Sequence, residues 1–358
     1  MAVKEKFLAI RPENAVKKLG SRSKVPLVNS RPIFEAFREE KIIIMACNIR
    51  IRHAVPGILR AAKELDAIVG FELAKTEGGL DGGYTAQLPD EFVEMVVGYV
   101  EECKHDLPIF IHSDHIGIKD PTEKSVASGR DLIAAQIKAG FTSFAIDASH
   151  NEMPDNIRIT AELAKPIQDQ GLGLEAEVGE IKLVKEGGEL TTVEEAVEFI
   201  TGLKQKGVRP ILLATNNGSK HGHYAAGEEV HIDLKRTGQV YEAIKKDGVC
   251  IAQHGITGTP LNMVGQFADY GIRKGNVGTL WQDVVYEGLP KDLMKTLTDW
   301  AAKEKKDIKF STKPFKKEID SIPEANKKII YDKAYAQAKD FIQAFRAKGS
   351  ASKLLAKI

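Results

Sequence analysis

The sequence predicts an α/β protein built as a closed (β/α)8 TIM barrel with N-terminal and C-terminal helical extensions, and three observations carry that prediction. Eight short apolar or β-branched runs alternate with helical-period stretches from about residue 41 onward. The runs are near-continuously apolar, as strands of a parallel sheet covered on both faces must be. They span roughly 240 residues, close to the ~250 a (β/α)8 barrel takes, and no GxGxxG follows the first run, which weakens the competing doubly wound sheet.

The elements follow in order. Strand candidates lie at 41–47, 67–73, 108–115, 143–149, 173–181, 211–216, 250–255 and 273–278. Helical stretches lie between them at 53–65, 89–104, 125–139, 155–170, 193–206, 234–246 and 260–270. Gly140, Gly171, Gly207 and Gly271 each fall just after a helical stretch, where a glycine ends a helix in the left-handed conformation. Thr192-Val-Glu-Glu195 reads as a capping box opening the stretch at 193–206, and Pro260 suits the first position of its helix. The barrel is placed at 41–290 and the helical extensions at 1–40 and 291–358, the whole of 1–358 reading as one domain.

Composition narrows the class of function. Of 358 residues, 43% are hydrophobic and 28% charged, enough to bury a sizeable core. A net charge of +1 argues against a nucleic-acid binder. No apolar run approaches the roughly 18 residues of a membrane span, and the N-terminus lacks a secretory h-region, so a cytoplasmic protein without membrane partners is expected. Cys47, Cys103 and Cys250 are odd in number and lack CxxC spacing, which indicates neither a disulfide framework nor a cysteine zinc site. Residues 291–358 carry 17 Lys/Arg against 9 Asp/Glu, which reads either as a solvated lysine-rich face or as a surface for an anionic substrate or another subunit.

In a barrel of this kind, polar residues at the C-terminal ends of the strands form the active face. The third strand ends in His112-Ser113-Asp114-His115, the fourth in Asp147-Ala148-Ser149-His150 and the fifth in Glu175-Ala176-Glu177. The sixth runs into His221-Gly222-His223-Tyr224, the seventh ends in His254-Gly255, and the eighth in Lys274-Gly275-Asn276. His115, His221 and His254 arrive at neighbouring strand ends with carboxylates between them, a donor set suited to Zn²⁺ or a similar divalent ion. His112 faces the same side two residues before His115 and suits a supporting role, whereas His53, His105 and His231 read as surface residues. The Gly255-Ile-Thr-Gly258 loop leads into a helix start, where exposed backbone amides suit an anion such as phosphate.

These residues resemble the class II, metal-dependent fructose-bisphosphate aldolase family. The HxDH, FTSxxxDxSH, ExExG, HGxY and HGxxG blocks occur in that family's order from about Cys47 to Gln282, with Phe141 through His150 an especially close match. The resemblance implies a lyase that reversibly cleaves a ketose phosphate, by default fructose 1,6-bisphosphate, through a metal-stabilised enediolate. It implies His115, His221 and His254 as zinc ligands, and Asp147 and Glu177 as residues of a possible second cation site. Asp114 matches the acid/base aspartate. The proton abstractor lies in the loop after the fifth strand, where Glu189 is the nearest match and Glu186 the alternative. Gly222, Gly255, Thr257, Asn276 and Thr279 match positions that hold the phosphate and ketose end, and Asn48, Gly258 and Lys274 are counted with this substrate shell. Lys333 stands nearest to an arginine that reaches the distal phosphate across a subunit contact, which goes with a homodimer or higher homo-oligomer.

The sequence departs from the family at the substrate. Glu72 stands where the family has a serine near the ketose phosphate, and Asn276-Val277-Gly278-Thr279 lacks the aspartate of the family's Asn-Ile-Asp-Thr. Aldolases for another ketose phosphate, and metal-dependent sugar or sugar-acid epimerases using the same enediolate without C–C cleavage, are the alternatives. A non-catalytic metal-binding protein on the same fold is a further one.

Overall fold

The eight strand candidates close in sequence order into one parallel barrel in the computed structural model, which describes residues 3–179, 190–220, 222–224 and 227–358. The strands are β1 (Ile44–Asn48), β2 (Val69–Ala74), β3 (Ile109–Gly117), β4 (Ser143–Asp147), β5 (Gly173–Val178), β6 (Leu212–Thr215), β7 (Cys250–Gln253) and β8 (Ile272–Val277). Except for the end of β3, every strand residue is buried, as the unbroken apolar runs require. Pairing of β1 with both β2 and β8 closes the ring.

Ahead of the barrel lie α1 (Val3–Ala9), α2 (Glu13–Leu19) and α3 (Ser30–Ala36). Around it run α4 (Val55–Glu64), α5 (Pro89–Glu102), α6 (Glu123–Ala139), α7 (Met153–Asp169), α8 (Val193–Gln205), α9 (Leu234–Ile244), α10 (Leu261–Val264) and α11 (Thr279–Gly288). After it come α12 (Lys291–Glu304), α13 (Lys316–Asp320), α14 (Glu324–Ala344) and α15 (Ser350–Leu355). No helix among the described residues is long and apolar enough to cross a membrane.

Local signals set the boundaries. Thr192 and Glu195 form the reciprocal cap of α8, with Glu195 N–H donating to Thr192 Oγ1 at 3.1 Å and Thr192 N–H to Glu195 Oε2 at 2.7 Å. Gly140 ends α6 at φ +100°, its N–H donating to the carbonyls of Gln136 and Ile137. The stretch at 260–270 is two pieces and not one helix. Pro260 is the cap before α10, not its first residue, and Gly265, a poor helix former, separates α10 from a 3-10 turn at Phe267–Tyr270.

The C-terminal extension is docked, with most of its lysines facing outward and Lys309 reaching the cavity. Gly57 in α4 lets α14 approach closely: a Cβ there would fall 2.4 Å from the carbonyl oxygen of Tyr331. Arg60 covers the Tyr335 ring at 4.1 Å, Lys339 pairs with Glu64 at 2.6 Å, and Phe341, Ile342 and Phe345 are buried. At the N-terminal end of the strands, Val28 N–H bonds Ile109 O and Ile43 N–H bonds Phe345 O, so both extensions close the floor of the barrel. Among the described residues, the opposite, C-terminal mouth holds a cavity.

Two histidines expected at the surface are buried instead. His53 is 5% exposed and bonds the Ile319 carbonyl at 2.8 Å, and His105 is 3% exposed. Packing of the C-terminal extension and of the α4–α5 pair covers them, which helical periodicity within one segment does not reveal.

Candidate active site

Adjacent residues of a regular strand point to opposite faces, so Asp114 and His115 cannot both reach the barrel mouth from an undistorted β3. The structure bends the strand there. Pairing of β3 with β4 slips between Ser113 and Ile116, and His115 takes φ +41°, in the left-handed region that few non-glycine residues adopt. Asp114 and His115 thereby share one cavity with His254, their ligating atoms within 4.8 Å of one another.

The carboxylates behind the imidazoles decide which nitrogens face them and which face the cavity. His115 Nδ1 faces Glu177 Oε1 at 2.9 Å and Asp147 Oδ2 at 3.4 Å, so Nδ1 carries the proton and Nε2 a lone pair. His254 Nε2 faces Glu175 Oε1 at 2.7 Å, which leaves the lone pair on Nδ1. The two lone-pair nitrogens, His115 Nε2 and His254 Nδ1, converge to 2.8 Å. At that distance the pair holds a positive charge, either a second proton on His115, at Nε2, or a cation against both nitrogens. This is the donor arrangement a divalent cation requires, and the residues present fit one.

The electrostatics agree. Burial and then the Asp147 charge push the Glu177 carboxyl up to about 8. Burial opposes charging of His115, but Glu177 and Asp114 outweigh it and raise the imidazole well above its ordinary range. Both shifts express a surplus of negative charge that takes up protons or a cation. Burial and the nearby His115 lower His254, keeping it neutral as a ligand should be. Burial would raise Asp114, yet His115, His254 and Lys274 together hold it below the usual carboxylate range.

Beneath this layer lies a second one, closed to solvent. Lys274 Nζ lies 2.9 Å from Glu175 Oε2 and 3.3 Å from Glu72 Oε2, and donates to Asn276 Oδ1 at 2.8 Å and His112 Nε2 at 3.1 Å. Burial and the Lys274 charge lower His112 to about 3, so it stays neutral, accepting at Nε2 and donating from Nδ1 to Ser143 Oγ at 2.7 Å. Glu72 therefore turns away from any ligand and pairs with the buried lysine, while burial pushes its carboxyl well above the ordinary range.

Above both layers opens a cavity of about 650 Å³. Of the substrate shell expected from sequence, Asn48, Gly222, Gly255, Thr257, Asn276 and Thr279 line it. Gly258 does not; it packs against the loop after β6, where a Cβ would fall 2.8 Å from the Tyr224 ring. Lys274 is a correction: it is fully buried under the floor, because its strand points it into the barrel interior one layer below Asn276. Lys333 lies on the outer face of α14, 2.6 Å from Glu287 and away from this chain's own cavity; the reach expected of it is into a partner subunit's site. His221, Glu186 and Glu189 lie outside the described residues.

Among the cavity residues that escaped sequence reasoning are Arg50, Glu77 and Lys309. The first two follow the ends of β1 and β2, so the strand-end rule that singled out β3 to β8 would have found them. Lys309 comes from the extension after α12, and no local signal marks it.

Residues 28–349 match the family model described as fructose-bisphosphate aldolase class-II. A Bacillus subtilis (strain 168) protein named probable fructose-bisphosphate aldolase is 28% identical over 262 residues, covering 71% of this chain and 82% of that protein. The fructose-bisphosphate aldolase of Geobacillus stearothermophilus is 28% identical over 258 residues, covering 71% and 81%. The crystal structure of the YdjI aldolase from Escherichia coli K12 superposes with a TM-score of 0.65 at 18% identity, covering 91% of this chain and 99% of that one, and shares the fold.

Proposed function

This chain belongs to the class-II fructose-bisphosphate aldolase family and is a lyase, and on that premise we propose that it is a zinc-dependent aldolase cleaving a ketose phosphate, by default fructose 1,6-bisphosphate to dihydroxyacetone phosphate and glyceraldehyde 3-phosphate. The observation that carries the reading is the convergence of His115 Nε2 and His254 Nδ1 at 2.8 Å beside an ionised Asp114. His115, His254 and His221 would hold the ion, with Glu177 and Asp147 supporting a second cation. When bound, a divalent ion supplies Lewis acidity to a substrate carbonyl oxygen.

The chain's own residues supply the rest. Asp114 Oδ2 accepts from Asn48 Nδ2 at 2.8 Å and Oδ1 from Asn276 Nδ2 at 3.0 Å, so the carboxylate is oriented and kept ionised, as a base must be. It takes the proton of the hydroxyl on the carbon beyond the cleaved bond. The C–C bond then breaks with its electron pair left on the carbon beside the carbonyl, and the aldehyde is released. Reprotonation of that carbon falls to the glutamate expected in the loop after β5, Glu189 or Glu186. Thr257 and Thr279 hydroxyls and the Gly255 backbone stand where they can hold a phosphate. Family membership also supports a cytoplasmic homo-oligomer.

The test is to incubate the metal-loaded protein with ketose mono- and bisphosphates and follow triose release and epimer formation together. Three-carbon products are expected. Epimers without cleavage would overturn the aldolase reading in favour of an epimerase.

A further inference from the structure

Arg50 lies two residues beyond the end of β1, and its side chain, 15% exposed, enters the cavity. Its Nε donates to Glu77 Oε1 at 2.7 Å. Nη1 reaches Gln282 Oε1 at 3.1 Å and Thr279 Oγ1 at 3.4 Å. Among the described residues Nη2 has no hydrogen-bond partner. Glu77, 3% exposed, is itself fixed: Oε2 accepts from Asn48 Nδ2 at 3.1 Å and from the Ala74 N–H at 3.0 Å, and Oε1 from Tyr84 OH at 3.3 Å. The guanidinium is thus anchored at Nε, with its Nη edge turned away from the anchor.

Gly278 makes the room. A Cβ at that position would fall 3.3 Å from Arg50 Nη2 and 3.1 Å from Asn48 Oδ1, so a side chain there would compete with the guanidinium for the same space. The acidic groups of the cavity are already engaged: Asp114 by Asn48 and Asn276, Asp283 by His223 at 2.7 Å, Asp307 by the Lys309 N–H at 2.9 Å, and Glu77 as above. Lys309 brings a second positive charge into the same cavity. An arginine with a free N–H edge beside a threonine hydroxyl matches a tetrahedral oxyanion, whose oxygens can engage Nη1, Nη2 and the hydroxyl together. The second threonine, Thr257, is close by, its Oγ1 accepting from the Leu280 N–H at 3.3 Å.

We propose that Arg50 takes a phosphate group of the substrate, with Thr279 beside it, and sets the preference for phosphorylated over unphosphorylated ketoses. The proposal rests on the reading of the cavity as the site of a ketose-phosphate aldolase.

The probe is inorganic phosphate, titrated calorimetrically into the 358-residue chain and its variants. Arg50→Gln alone leaves Glu77 buried without its cation, so it is compared with Arg50→Gln/Glu77→Gln, in which two amides can pair; thermal unfolding reports that each variant folds. Phosphate affinity falls about 10- to 100-fold in the double variant, the scale of a lost charge-assisted contact. The ratio of kcat/KM for fructose 1,6-bisphosphate to that for fructose falls with it. Unchanged affinity in a folded double variant overturns the proposal, as does a parent that binds no phosphate at millimolar concentration. If phosphate binds through Arg50 but no ketose phosphate is cleaved, the Arg50 phosphate contact stands and the aldolase reading fails. If ketose phosphates are cleaved equally well without Arg50, the reverse holds.

Discussion

The carboxamide nitrogen of Asn48 lies 2.8 Å from Asp114 Oδ2, while Asn276 covers the other carboxylate oxygen at 3.0 Å. Each amide is oriented in turn by an ion: Glu77 accepts from Asn48, and Lys274 donates to the Asn276 oxygen. Charges of opposite sign thus fix both amides with their N–H groups toward Asp114. A base held this way does not reorganise when it takes a proton.

Asp114→Ala is expected to cut kcat by roughly 10²–10⁴-fold, the usual scale for a positioned acid or base, while metal content stays near that of the parent. Steady-state kinetics with elemental analysis checks both halves. A variant that loses its metal along with its activity would place Asp114 among the ligands instead.

Stripping divalent metal with a chelator is expected to abolish turnover, and Zn²⁺ to restore it. Unfolding should also occur at lower temperature after stripping, because an ion bound only by the folded state stabilises it, by about 2.7 kcal/mol at a hundred times Kd. Full activity in rigorously metal-free protein would exclude the zinc reading.

Lys274→Met is expected to destabilise the fold by about 3–5 kcal/mol, the cost of stranding buried charge, here Glu175. Denaturant titration measures it. Adding Glu72→Gln should recover little of the loss, since burial already pushes that carboxyl well above the ordinary range. A large recovery would mean that Glu72 carries a charge in the parent.

His105 gives a pH dependence away from the catalytic cluster. Burial lowers its folded-state value to about 4, against ~6.5 in an unfolded chain. Between those values the unfolded state binds the extra proton, so stability falls as pH drops from about 6.5 toward 4, by on the order of 3 kcal/mol. Unfolding free energy across that window should fall less in His105→Leu than in the parent. Parallel curves would show that His105 titrates normally.

Substitution separates the two glutamates of the loop after β5. Glu189→Ala should slow exchange of the ketose-donor proton with solvent more than it slows C–C cleavage, measured by deuterium uptake into dihydroxyacetone phosphate. The same effect from Glu186→Ala would assign the role three residues earlier.

Much of the molecule was legible in the sequence. The eight-fold beat of apolar runs and helical stretches is written in local periodicity, and each of the eight runs is a strand of the closed barrel. The capping pair Thr192 and Glu195 and the helix-ending Gly140 are local chemistry too. The strand-end rule brought Asp114, His115, His254 and Asn276 to one cavity because parallel strands of a barrel all end at the same mouth.

The tertiary structure decided what each of those residues faces. Lys274 and Asn276 lie two residues apart on β8, yet one is sealed beneath the floor and the other lines the cavity, because depth along a barrel strand is set by its neighbours' side chains. Glu72 was a conflict with a phosphate in sequence and is a buried partner of Lys274 in space. Arg50, Glu77 and Gly278 carry no shared motif. They come together because β8 pairs with β1 and β1 with β2, placing the three strand ends side by side. Sequence determines which residues reach the mouth of the barrel; only closure of the sheet determines which of them meet, since that contact joins residues more than two hundred positions apart.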